Sequence, residues 1–253
     1  MNTPVIDFHT HAGRFGSFAV NDDPERFVEI MDAAGVDKSN INCIFHSKAE
    51  VGNDIVVERF LERYPDRFIG VAFVTPLYPE EVIPELERAF GVLGMRSLKV
   101  YPDYYGKPID DAGYNPIFEW CNDRAVTVMS HSSHGIEDNT LSVPTKFISL
   151  AERFQNINWV LAHSGNFRSG QELAVEAARA CPNIYLETCS SNAEHDTIQF
   201  LVDGAGEDRV LFGSDMPLLD ARAMIGRIVT AEISSEAKQK VLGLNAIKLL
   251  GLD

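Results

Sequence analysis

The sequence predicts an α/β fold of the (β/α)8 TIM-barrel type. Three observations point there. The chain has 253 residues, and one such barrel takes about 250. Short apolar, β-branched runs alternate with longer amphipathic segments. Successive runs start roughly 25–35 residues apart, the length of one βα unit. The first run is not followed by the glycine-rich phosphate turn of an open doubly wound sheet. No Pro/Gly/Ser linker divides the chain, so residues 1–253 are read as a single domain.

The elements follow in order. Val5–Phe8 is the first strand candidate, and Pro24–Ala34 the first helix. That helix opens after Asp22-Asp23, an N-capping signal followed by proline at the first helical position. Ile41–Phe45 is the second strand, and the helix Asp54–Tyr64 ends before Pro65, as the residue preceding proline disfavours helical backbone. Strand Phe68–Val74 leads to helix Pro79–Phe90, Ser97–Tyr101 to Asn115–Asp123, and Val126–Ser130 to Pro144–Phe154. Strand Asn158–Ala162 leads to helix Ser169–Ala180, Ile184–Glu187 to Glu194–Val202, and Val210–Phe212 to Asp220–Ala231. Ser235–Leu250 reads as a C-terminal helix.

Composition narrows the partners. The chain carries 22 basic and 37 acidic residues, a net charge of −15. Such a surface repels phosphate backbones and anionic membranes, so neither nucleic acid nor membrane is expected as a partner. A small-molecule substrate remains open, a carboxylate included, because local charge in a cleft can oppose the net charge. No run of about 18 apolar residues exists to span a membrane. Met1 to Val5 shows no basic region or long apolar run of a signal peptide, so a cytoplasmic location is expected. Cys43, Cys121, Cys181 and Cys189 form no C-x-x-C pair and read as free thiols.

In this fold the chemistry gathers at the C-terminal ends of the strands. The first strand runs Val5-Ile6-Asp7-Phe8-His9-Thr10-His11. Alternate strand residues face one side, so Asp7, His9 and His11 share a face. Strand five runs into His131, strand six into His163 and strand eight into Asp215. Four of the chain's seven histidines thus fall at strand ends. Imidazole and carboxylate without thiolate suit a single divalent first-row ion, zinc first and manganese, iron, cobalt or nickel as alternatives. Such an ion lowers the pKa of bound water toward about 7, and an unligated base must then move a proton. Tyr101 shares the inward phase of Lys99 and is a candidate substrate contact. Arg14, in the loop after the first strand, is placed to clamp a carboxylate bidentately. Glu187 ends strand seven, where it would support the site from behind.

The segments Val5 to His11, Ser97-Leu98-Lys99-Val100-Tyr101-Pro102, His131, Leu161-Ala162-His163-Ser164-Gly165 and Leu211-Phe212-Gly213-Ser214-Asp215-Met216-Pro217 form an ordered set. With Val241 to Ala246 they resemble the amidohydrolase superfamily, in the branch that includes aminocarboxymuconate semialdehyde decarboxylase. The resemblance implies His9, His11, His131 and Asp215 as metal ligands. It implies His163 as the acid/base or electrophile, with Asp215 as a second catalytic group that accepts a proton from water. Some members of the superfamily carry a carboxylated lysine at the strand-four end. This branch holds one metal, so Lys99 is read as unmodified, as a substrate contact or paired to a carboxylate in the barrel. Barrels of this branch often pair, which leaves a homodimer open. The loop after His11 is shorter than in the decarboxylase, which argues against carrying that activity over. The leading expectation is therefore metal-dependent hydrolysis of a lactone, amide or cyclic amide. Non-oxidative decarboxylation of an unsaturated or aromatic carboxylate is the alternative, and a catalytically silent ligand-binding barrel is the third reading.

Overall fold

The computed structural model describes residues 3–13, 23–45, 48–134, 140–192 and 194–252. Eight parallel strands lie side by side in chain order. They are β1 (Ile6–His11), β2 (Lys38–Asn42), β3 (Phe68–Phe73), β4 (Ser97–Val100), β5 (Thr127–His134), β6 (Asn158–Asn166), β7 (Ile184–Glu187) and β8 (Val210–Leu211). The sheet curls round until the segment after β8 meets β1. There the Phe8 N–H donates to the Phe212 carbonyl, the Asp215 N–H to the His9 carbonyl and the His11 N–H to the Met216 carbonyl, each at 2.8 Å. Helices connect successive strands, so the fold is the expected (β/α)8 barrel.

Local chemistry sets several elements where the sequence places them. The helices Pro24–Ala34 and Asn115–Asp123 have the expected bounds. The Asp23 carboxylate accepts the Glu25 N–H and closes the first of these at its N-terminus. Strand two differs. It spans Lys38–Asn42 rather than Ile41–Phe45. Asparagine is a poor strand former by propensity, but here tertiary contacts hold it. The Asn40 amide donates to the Phe8 carbonyl and the Asn42 amide to the Thr10 carbonyl. The helix expected over Asp54–Tyr64 starts earlier, at Ala49, and passes after Val56 into a wide π turn over Val57–Leu61. The C-terminal helix likewise divides around a π turn at Lys240–Leu244.

Two apolar layers hold the barrel. The larger packs helix residues such as Phe27, Met31, Phe60, Phe118 and Ile228 against strand residues such as Ile41, Leu98 and Trp159. The smaller joins Ile6, Phe8, Met129, Val160 and Leu211 to Ala246 and Leu250 of the C-terminal helix. Each fully buried aliphatic side chain in them contributes about 1.5–3 kcal/mol over its exposed state. No helix among the described residues is long and apolar enough to cross a membrane.

Candidate metal centre

Two local irregularities aim the site. Between Asp7 and Thr10, β1 uses one more residue than β2 opposite it. Between Ala162 and Gly165, β6 uses one more than β5. Such bulges turn side chains out of strict alternation, and these two fall where His9 and His163 stand. His163 (φ 68°) and Asp215 (φ 61°) also hold left-handed backbone. A non-glycine residue there costs on the order of 1–3 kcal/mol and persists only where its surroundings compel it. Two residues on, Gly165 and Gly170 pack so closely that a Cβ on Gly165 would clash with the Gly170 carbonyl oxygen.

The β1 histidines are held from behind. His9 Nδ1 lies 2.9 Å from Glu187 Oε2. His11 Nδ1 lies 2.8 Å from Asn42 Oδ1. The Asn42 amide nitrogen donates to the Thr10 carbonyl at 2.9 Å, which leaves its oxygen as the acceptor. His11 Nδ1 therefore carries a proton. Both oxygens of Glu187 receive main-chain N–H groups, from Cys189 and His163. It too is an acceptor, and His9 Nδ1 donates to it. In neutral rings with protonated Nδ1 atoms, both Nε2 atoms bear bare lone pairs.

Those lone pairs converge on a carboxylate. Asp215 Oδ1 is 3.0 Å from His11 Nε2 and 3.7 Å from His9 Nε2. It is buried and receives no hydrogen bond, and neither does the buried His131 Nδ1. Acceptors facing one another at such distances call for a cation between them. The Lys99 ammonium is already drawn there, with Nζ 3.0 Å from His9 Nε2. The donor set of His9, His11 and Asp215, all within 4.8 Å of one another, fits a divalent first-row ion. The backing of each imidazole by a carboxylate or amide is how metal-binding histidines are oriented.

The remaining expected residues divide. His131 stands one ring away, with centroids 4.8 Å from His163 and 4.9 Å from Tyr101. His163 is 5.2 Å from His9 by centroid and partly exposed. The Tyr101 ring lies tilted against Tyr104, with centroids 4.4 Å apart. Lys99 is fully buried, and its nearest polar partner is His9, not a carboxylate. Arg14 lies outside the described residues.

Burial shapes the electrostatics. It pushes the His9, His131 and His163 imidazoles below the usual histidine range, with Lys99 or neighbouring imidazoles adding to the push. It lowers the Lys99 ammonium to about 8. Burial opposes ionisation of Asp215, but a hydrogen bond from a protonated His11 and positive charge on His9 would outweigh it and hold the carboxyl well below its ordinary value; with the rings neutral, that stabilisation falls to a cation bound between them. Asp7 is raised to about 7 by burial, although hydrogen bonding from the Ser214 side chain and from the His9 and Ser214 N–H groups opposes the rise.

Two members of the site escape sequence reasoning. Asn42 is hidden by the displaced strand two. Cys189 reads as an inert thiol, yet its Sγ lies 3.1 Å from His163 Nδ1 and 3.0 Å from Glu187 Oε2. Its spacing of two residues from Glu187, which gives the same strand phase, is the one signal available.

Gly213 gives the site a steric check. A Cβ there would stand 2.2 Å from Glu187 Oε1 and 2.9 Å from His9 Cβ. Gly213→Ala is expected to displace Glu187 and weaken metal retention by about 10–100-fold, at a cost of about 1–3 kcal/mol in stability. Chelator competition and thermal melts measure both. Unchanged retention would show that Glu187 does not steady His9.

The sequence profile described as "Amidohydrolase" matches residues 6–252. The 2-amino-3-carboxymuconate-6-semialdehyde decarboxylase of Dictyostelium discoideum is 25% identical over 240 residues, 81% of this chain and 67% of that protein. Among solved structures, an uncharacterized barrel protein from Bordetella bronchiseptica superposes with a TM-score of 0.81 at 22% identity, over 98% of each chain. A dihydroxybenzoic acid decarboxylase from Polaromonas sp. JS666, with bound manganese and the inhibitor 2-nitroresorcinol, gives 0.79 at 18% identity, over 99% of this chain and 98% of that one. The 5-carboxyvanillate decarboxylase of Sphingomonas paucimobilis gives 0.77 at 18%, over 100% of both. The structural likenesses bear on the fold, and the profile match across nearly the whole chain decides the family. The chain belongs to the amidohydrolase family of enzymes.

Proposed function

We propose that this chain, read as one barrel domain over residues 1–253, is a metal-dependent non-oxidative decarboxylase of an unsaturated or aromatic carboxylate. The observation that carries the reading is the relative aligned over 81% of the chain, a decarboxylase by name. The short loop after His11, which argued against decarboxylation, is outweighed by that alignment.

The chain's residues suit the reaction. His9, His11 and Asp215, with His131 beside them, would hold the ion. When bound, that ion supplies positive charge that stabilises the electron pair left on the substrate. Zinc and manganese both suit imidazole and carboxylate donors, and the Polaromonas neighbour carries manganese. Lys99 supplies a second, buried positive charge where a substrate carboxylate would sit. Tyr101, its ring against those of His131 and Tyr104, adds aromatic surface beside the centre. The bond from the ring or alkenyl carbon to the carboxylate carbon breaks, and its electron pair stays on the former. His163 Nε2, having taken a proton from water, passes it to that carbon, CO2 leaves, and the hydroxide left behind is neutralised by solvent. Arg14 remains a candidate clamp for the carboxylate.

The test is product analysis. Dihydroxybenzoates and carboxymuconate-type acids are incubated with metal-loaded and chelator-stripped protein. CO2 release from the loaded protein alone is expected. Opening of a lactone or amide without CO2 would overturn the proposal in favour of hydrolysis. A protein that neither binds metal nor turns over any substrate would be a silent barrel.

A further inference from the structure

We infer that Cys189 is a positioning residue that fixes the His163 imidazole with its proton on Nδ1 and its Nε2 lone pair toward the barrel mouth. The inference rests on the role proposed for His163, and it is argued from the hydrogen-bond network behind the ring.

Glu187 is the hub. Its Oε1 accepts the Cys189 main-chain N–H, and its Oε2 accepts the His163 main-chain N–H at 3.2 Å. Main-chain nitrogens can only donate, so both carboxylate oxygens are acceptors. The Cys189 thiol lies 3.0 Å from Oε2, and its single proton goes there. The sulfur then has only lone pairs for its other neighbours. His163 Nδ1 is 3.1 Å from it and His9 Nδ1 is 3.3 Å. Both ring nitrogens must therefore be donors toward sulfur and carboxylate. For His9 the same conclusion follows independently from its 2.9 Å contact with Glu187. For His163, sulfur is the partner seen at Nδ1 among the described residues.

The consequence is specific. His163 meets the barrel mouth with an unprotonated Nε2, ready to take a proton from water and return it to carbon. The same carboxylate that steadies His9 steadies His163 through the thiol and through its main chain. Metal ligand and proton carrier are thus set by one buried group.

Zinc-loaded protein with 15N-labelled histidine tests this. The His163 resonances are expected to report a protonated Nδ1 in the wild type and in Cys189→Ser, whose hydroxyl can donate to Glu187 and accept from His163. Cys189→Ala is expected to give mixed protonation of the two nitrogens. Its kcat should fall about 10–100-fold with KM and metal content nearly unchanged, and Cys189→Ser should recover most of that loss. A wild-type His163 protonated on Nε2 would overturn the inference, and so would wild-type kcat in Cys189→Ala. The wild-type spectrum needs no variant to fold. If no carboxylate is turned over, the proposed reaction fails while the nitrogen resonances still decide the tautomer.

Discussion

Asp215→Ala is expected to abolish turnover while the barrel stays folded. The side chain is the anion of the centre, 3.0 Å from His11 Nε2 and 3.7 Å from His9 Nε2. Without it two imidazole lone pairs face each other with no charge to hold a dication. The several kcal/mol of electrophilic stabilisation supplied by the ion then goes too, which corresponds to at least about 10³-fold in rate. The backbone does not depend on the carboxylate. The Asp215 main-chain N–H donates to the His9 carbonyl, and its carbonyl accepts from Leu218. Alanine pays about 1–2 kcal/mol for left-handed backbone, so Asp215→Asn, which tolerates it better, is the paired variant. Metal analysis, circular dichroism and CO2 release measure the three outcomes. Wild-type metal content and turnover in either variant would remove Asp215 from the site.

His163→Ala should separate proton transfer from metal binding. A positioned acid–base group contributes typically about 10²–10⁴-fold, and kcat should fall by that order. His163 sits beside the His9, His11 and Asp215 group, so metal content should hold. The left-handed backbone at this position (φ 68°) complicates a plain alanine. His163→Asn keeps a residue type that accepts this conformation, and it should be as slow as the alanine variant. Should either variant turn over at near-normal rate, the proton passes through another group.

These expectations rest on residues that were legible at different depths. His9, His11, His163 and Asp215 stood out because barrel chemistry gathers at strand ends, where histidine and aspartate are otherwise unneeded. Glu187 was legible for the same reason. The structure adds Asn42 and Cys189, and it pairs Lys99 with His9 Nε2 rather than with a carboxylate. Apart from the two-residue spacing of Cys189 from Glu187, these contacts leave no local trace. Asn42 comes from a strand whose register propensity misplaces by three residues, and Cys189 looks like any buried thiol.

The alternation of short β-branched runs with amphipathic segments was enough, by itself, to determine the barrel, the order of its strands and the rim on which its polar groups gather. Periodicity and strand-end position are local properties, and local properties are written in consecutive residues. The aim of each side chain was decided only by tertiary structure. The β1 and β6 bulges, the left-handed backbone at His163 and Asp215, and the Glu187 hub arise from packing between segments far apart in the chain. A one-residue bulge reverses the direction of a side chain, and hydrogen-bond partners choose which imidazole nitrogen is bare. Both depend on neighbours brought together by folding.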